Sequence, residues 1–366
     1  MKQYDAILIK GLKVSAYKIP TDLPEADGTI EWNSTTVVLV EISAGNKTGI
    51  GYTYAPQSTA FLIEKILTEI VVGKDAMNIP GLSSSMIRAI RNNGQCGIAM
   101  MAISAVDNAL WDLKAKLLEL PLCVLLGQVK DAMLIYGSGG FTSYSNAQTK
   151  KQFENWASQS ITHFKMKVGA EPSKDPERVK AARKAIGDNT DLFVDANGAY
   201  TVKEALQKAR EFNEYNISWY EEPVTSENLK GLRFIREHVP NKINIAAGEY
   251  GYTLPYFDEI LHAGAVDILQ ADATRCGGIS CYMKAGFMAE AYQVPFSSHC
   301  APSLHLHASL ALPSFYIAEY FHDHVRIENM LFDGTPKPKN GSLLPDLSRP
   351  GLGLSFKQKD AEKYKI

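Results

Sequence analysis

The strongest constraint on this chain is a rhythm that begins near residue 133. Eight short apolar runs follow one another: MLIYGS, HFKMKVG, DLFVDANG, SWYEEP, INIAAGE, DILQAD, VPFSSH and FYIAEY. Each ends in polar or charged residues, and helical patterns lie between most of them. The clearest is TVKEALQKAREF (201–212). There Thr201 and Glu204 have capping-box spacing, and Val202, Ala205, Leu206 and Ala209 share one apolar face. Eight strands alternating with helices are what a β/α barrel requires, with a doubly wound sheet as runner-up. The count of eight favours the barrel.

The first third of the chain differs. Residues 4–19 and 35–43 are rich in β-branched residues and read as antiparallel strands joined by a polar segment, 20–34, with GIGYTY (49–54) as a third strand. Helical patterns follow over 59–71, 83–92 and about 97–118. In the last of these Ala102, Ala105, Val106, Ala109, Leu110 and Leu113 form a continuous apolar stripe. Strands first and helices second describe a small α+β domain. The expected division is therefore an α+β cap over 1–130, a barrel over 131–325, and a proline-bearing tail over 326–366 that packs back on the cap. The length of 366 residues accommodates this plan.

Composition excludes several classes. Lys+Arg of 38 against Asp+Glu of 40 leaves a formal charge of −2, which provides no basic footprint for nucleic acid and no polybasic membrane arm. Five cysteines without a CxxC pair suggest neither a zinc knuckle nor a disulfide framework. The amino terminus, MKQYDAILIKGLK, lacks a signal-peptide pattern. The stretch 97–111 is broken by Asp107 and Asn108 and is too short to span a bilayer. A cytoplasmic protein is the expectation.

In a barrel the carboxyl ends of the strands converge on one rim. Those ends supply Lys165 and Lys167, then Asp195, Glu221, Glu249, Asp272, His299 and Glu319. One carboxylate from each of three neighbouring strands suits a hard divalent cation such as Mg2+, which prefers oxygen ligands. The alternative is that Asp195, Glu221 and Glu249 cap the helices that follow. Lys165 and Lys167 lie two apart on a strand and share a face. Side by side, each would depress the other's pKa toward the ~7–8 of a general base. Asp272 on one nitrogen of His299 would orient that ring as acid or base. Glu319 would donate a proton or hydrogen bond to an anionic intermediate if its pKa were raised. His305, His307, His322 and His324 read as packing or solvent residues, and Cys300 as a bystander thiol. Gly277 and Gly278 would bring backbone amides near an anion.

Taken in order, KMK (Lys165, Lys167), DANGAY (Asp195, Asn197), YEEP (Glu221), AGE (Glu249), QAD…CGG (Asp272, Gly277, Gly278), SSH (Ser298, His299) and AEY (Glu319) resemble the enolase superfamily, in its mandelate racemase subgroup. AISAVDNALWDLKAK resembles that family's first domain. The resemblance covers essentially the whole chain. It implies a modified TIM barrel, (β/α)7β, under an α+β cap whose loops close over a small carboxylate substrate, and homo-oligomers are common in the family. It implies one Mg2+ on Asp195, Glu221 and Glu249 that binds the substrate carboxylate. Lys165 and Glu319 would help stabilise an enediolate, with Lys167 and Asp272-backed His299 on opposite faces of the α-carbon. The stretch DATRCGG holds Arg275 where the muconate-cycloisomerase and dipeptide-epimerase kinds place a lysine, which points away from them. Dehydration of a sugar acid is the expected outcome. Racemisation or epimerisation, and cycloisomerisation of an anhydro-sugar acid, are alternatives on the same bases. The cap segment PTDLPEADGTIEW (20–32) holds Asp22, Glu25, Asp27 and Glu31 but no Lys or Arg, which leans toward a monocarboxylic substrate. Asn197, Tyr52 and Tyr54 are the expected substrate contacts.

Overall fold

The computed structural model describes residues 5–366; residue 4, where the first strand was expected to begin, lies outside them. The cap opens with a three-stranded antiparallel sheet: β1 (Ile9–Ala26), β2 (Glu31–Ala44) and β3 (Lys47–Tyr54). The polar segment 20–34 is not a simple linker. β1 and β2 run on through most of it, pairing Glu25 with Trp32 and Ala26 with Glu31 beyond an irregularity in register. Cross-strand pairing has overridden the weak local strand signal there. The helical cap follows as 58–71, Ile79–Ala89 and the long helix Ile98–Leu117.

The barrel comprises β4 (Met133–Gly139), β5 (His163–Lys167), β6 (Asp191–Asp195), β7 (Ile217–Glu221), β8 (Asn244–Ala247), β9 (Ile268–Ala271), β10 (Phe296–Ser298) and β11 (Phe315–Phe321). Neighbours are parallel in chain order, and β11 pairs with β4 to close the ring. A helix connects each consecutive pair of strands.

Side-chain parity positions the site. Tyr136, Phe193, Trp219, Ala246, Ile268 and Ile317 form one buried cluster, contributed by six of the eight strands. Residues two further along a strand face the same way. Phe193 is therefore followed on its face by Asp195, Trp219 by Glu221, and Ile317 by Glu319. An apolar floor thus underlies a charged layer. Residues of the other parity, among them Phe164, Val194 and Tyr220, pack outward in the main core.

The tail packs on barrel and cap alike: β12 (Ser342–Leu343) pairs antiparallel with β4, while the Leu122 amide of the cap donates to the Gly351 carbonyl and the Ile366 amide to the Ala16 carbonyl of the cap. Helix His322–Leu331 runs across the expected division at 325/326.

Candidate active site

Asp195 and Glu221 end β6 and β7, and Glu249 lies two residues past β8. One oxygen from each falls within 4.8 Å of the others, and all three side chains are buried. The turn into Glu249 requires glycine: Gly248 has φ +133°, and a Cβ there would meet the Gln270 carbonyl oxygen at 2.1 Å. Glu249 Oε2 is buried without a hydrogen-bond partner. An all-oxygen donor set with one buried oxygen that accepts no hydrogen bond, His299 Nε2 lying 3.4 Å from it, fits a hard cation such as Mg2+.

Two lysines compensate this charge. Lys165 Nζ lies 2.8 Å from both Glu221 oxygens and 2.8 Å from Glu319 Oε1. Lys167 Nζ donates to Asp195 Oδ2 at 2.5 Å. Burial opposes the charge on each lysine. Glu221 and Glu319 around Lys165, and Asp195 beside Lys167, outweigh that burial and hold both above the ordinary lysine range. This corrects the expectation of mutual depression: Lys165 does lower Lys167, but by less than Asp195 raises it. Glu319 is corrected likewise. Burial favours its neutral form, yet Lys165, His299 and Lys167 hold it well below the usual carboxylate range. It is an ionised acceptor, taking hydrogen bonds from the Ser138 hydroxyl at 2.6 Å and the Cys300 amide at 2.8 Å.

His299 Nδ1 lies 2.8 Å from Asp272 Oδ2. An ionised carboxylate only accepts, so Nδ1 carries the proton of this bond and Nε2 is the ring nitrogen turned to the cavity, 3.2 Å from Cys300 Sγ and 3.4 Å from Glu249 Oε2. Asp272 is held below its ordinary range: burial opposes, but the hydrogen bond and charge of His299 prevail. His305 fastens the same region. Its Nε2 accepts from the Ala273 amide at 2.8 Å, and Nδ1 lies within 3.0 Å of the Cys300 and Ala301 carbonyls. It therefore ties the loop bearing Asp272 to the loop bearing His299. His307 accepts from the Cys123 amide. Both are buried joints, not solvent residues.

A cavity of about 390 Å3 opens above these groups. Lys167, Glu249, His299 and Asn197 line it from the barrel, and Trp32, Ser34, Thr36 and Tyr54 from the cap. Tyr52 does not line it; its hydroxyl donates to Glu328 Oε1 at 2.6 Å beneath the surface. Asp27 of the acidic segment reaches the cavity wall, whereas His322 pairs with Asp22 outside it. His324, expected to be packing or solvent, is a wall residue stacked on Tyr54 with ring centroids 3.4 Å apart. Its only sequence signal was its place just past the end of β11. Arg275 also lines the wall, bridging Glu249 Oε1 at 3.3 Å and Asp272 Oδ2 at 3.7 Å. The amides of Gly277 and Gly278 do not serve an anion: both donate to Ser104 Oγ of the cap, at 2.8 and 3.1 Å.

The geometry agrees with comparison to known proteins. The "Enolase C-terminal domain-like" family matches residues 148–361, and the "Mandelate racemase / muconate lactonizing enzyme, N-terminal domain" matches 14–127. The chain belongs to the mandelate racemase/muconate lactonizing enzyme family of the enolase superfamily. As a family member it is 33% identical to an arabinonate dehydratase of Saccharolobus solfataricus, covering 99% of this chain and 94% of the relative. A mandelate racemase/muconate lactonizing enzyme-like protein from Rubrobacter xylanophilus superimposes with a TM-score of 0.96 at 51% identity, covering 98% and 99% of the two chains. A racemase from Streptomyces coelicolor, solved with bound magnesium, gives 0.92 at 29%, covering 98% and 100%. Among the described residues, no helix is long and apolar enough to cross a membrane.

Proposed function

We propose that the chain is a Mg2+-dependent acid-sugar dehydratase, acting on a monocarboxylic sugar acid to give a 2-keto-3-deoxy product. The observation that carries this reading is that Lys167 and His299 line one cavity beside three buried carboxylates, with Asp272 fixing the His299 tautomer. Asp195, Glu221 and Glu249 would hold the ion, which supplies positive charge where the substrate carboxylate gains electron density as its α-proton leaves. Lys167 and His299 Nε2 are the two proton-transfer groups. One takes the α-proton, Lys167 being able to do so only once its ammonium has been displaced from Asp195 by a cation and has released its proton; His299 protonates the departing β-hydroxyl, so that elimination rather than return of the proton completes the turnover. Lys165, held by Glu221 and Glu319, adds fixed positive charge next to the ligands.

The monocarboxylic preference rests on the cavity's cations. Lys167 is committed to Asp195, and Arg275 to Glu249 and Asp272. Burial holds His324 neutral, well below the ordinary histidine range. The cap wall instead presents Ser34, Thr36 and Tyr54, groups suited to hydroxyls. The relative named an arabinonate dehydratase is consistent with such a substrate.

The test is a panel of aldonic and aldaric acids with Mg2+, read as α-keto acid formation. Turnover of an aldonate supports the proposal; turnover of aldarates in preference refutes the monocarboxylic part. A second reading, racemase, epimerase or cycloisomerase on the same bases, is favoured by the resemblance to the racemase structure. Exchange of the α-proton in D2O without keto acid would establish it and displace dehydration.

A further inference from the structure

We propose that His299, Cys300 and Glu319 form a second metal site, selective for a soft divalent cation such as Zn2+ or Cd2+, whose occupation inhibits the enzyme. Their donor atoms lie within 4.8 Å of one another, and all three residues are buried. His299 Nε2 is 3.2 Å from Cys300 Sγ and 3.7 Å from Glu319 Oε2. Tetrahedral zinc, with bonds of about 2.0–2.3 Å, sets neighbouring N, O and S donors about 3.4–3.6 Å apart. The two spacings from Nε2 need adjustments of only a few tenths of an ångström to meet this, and Cys300 Sγ and Glu319 lie within 4.8 Å of each other; Glu249 Oε2, of the three-carboxylate site, lies 3.4 Å from the same Nε2, so the two sites adjoin.

Each donor is prepared for the role. His299 donates a hydrogen bond from Nδ1–H to Asp272, the carboxylate–histidine arrangement that directs Nε2 at a metal. Glu319 Oε1 is occupied by Ser138 and Lys165, whereas Oε2 receives the Cys300 amide and keeps a lone pair. Cys300 lines the cavity with φ +51°, a conformation that few non-glycine residues adopt. Burial, with the Glu319 and Asp272 carboxylates nearby, keeps its thiol protonated. On binding, the dication would form the sulfur–metal bond and the thiol proton would pass to solvent, with no change of oxidation state. The fourth position faces the cavity. The three-carboxylate site offers oxygen alone and suits Mg2+; a thiolate and an imidazole reverse that preference. The two sites therefore separate metals by softness.

Inhibition rests on the proposed role of His299, since a ligated Nε2 has no lone pair for a proton; binding does not. The test is a Cd2+ titration of the full chain in saturating Mg2+, following the ultraviolet thiolate-to-cadmium absorption band. One equivalent should bind. The band should persist in Cys96→Ser, which removes the exposed thiol. It should be lost in Cys300→Ser, and His299→Asn, which keeps the thiol, should weaken binding at least about tenfold. If Cys300→Ser fails to fold, His299→Asn decides the matter. A band that vanishes with Cys96→Ser, or that neither site variant alters, overturns the proposal. This readout needs no turnover, so it stands apart from the dehydratase reading. Once a substrate is in hand, Zn2+ over saturating Mg2+ should inhibit the native enzyme. Cys300→Ser, scored against its own uninhibited rate, should resist it.

Discussion

At the scale of single residues, the site depends on groups whose protons are placed by their neighbours. Asp272 fixes a proton on His299 Nδ1 and so turns Nε2 to the cavity. Asp272→Asn should lower kcat by about 10²–10⁴-fold, because an amide can no longer enforce that tautomer. Mg2+ binding, measured calorimetrically, should be retained, since Asp272 is not one of the three ligands. Glu25 is a second case. Its Oε2 accepts from the Trp32 indole at 2.9 Å and its Oε1 has no partner. Burial, then the charges of Asp323 and Asp22, push its carboxyl up to about 9 from 4.5. Between these values the folded chain binds more protons than the unfolded one. The stability Glu25 contributes is therefore full below its ordinary pKa and falls as pH rises toward about 9. Glu25→Gln cannot titrate. Its stability relative to the native chain should improve by about 1–4 kcal/mol between pH 5 and 8, read from paired denaturation curves.

At the scale of elements, the junction between cap and barrel explains two buried polar residues, Asp107 and Asn108, of the long helix Ile98–Leu117. Asp107 accepts from the Ser280 amide at 2.9 Å and hydroxyl at 2.6 Å, and Asn108 Oδ1 from the Ile279 amide at 3.0 Å. With Ser104 they satisfy the open amino end of helix Gly278–Ala291, a task usually done by a helix's own N-cap. Gly278 makes this approach possible: its φ is +81°, and a Cβ would meet Asp107 Oδ1 at 2.4 Å. Gly278→Ala should cost about 1–3 kcal/mol. Gly127→Ala, also at positive φ but in open space, should cost less. Thermal unfolding of the two variants checks the difference. The strand ends were legible in sequence because parity and apolar runs are local properties, so Lys167, Asp195, Glu221 and Glu319 could be placed from spacing alone. The extension of β1 and β2 through residues 20–34 was not legible, because Glu25 and Trp32 form strand only through each other. The stacking of His324 on Tyr54 was hidden for the same reason: it exists only where the cap meets the barrel.

At the scale of the whole molecule, the apolar floor, the charged layer and the cap wall are stacked along one axis. The floor reaches into the site, as the Trp219 indole donates to Glu221 Oε2 at 2.9 Å. The cap reaches it from the other side, as Thr53 Oγ1 donates to the Thr274 carbonyl at 2.6 Å beside the Asp272 loop. Asp195, Glu221 and Glu249 are thus brought together by three neighbouring strands, and the floor holds Glu221 directly. In the proposed function they form the Mg2+ site on which catalysis depends. Isothermal titration of the chain with Mg2+ tests it most directly: one ion should bind per subunit, and Asp195→Asn and Glu221→Gln should each abolish the heat while remaining folded by circular dichroism. Native protein that takes up no Mg2+, or folded variants that bind it as the native chain does, would contradict the account.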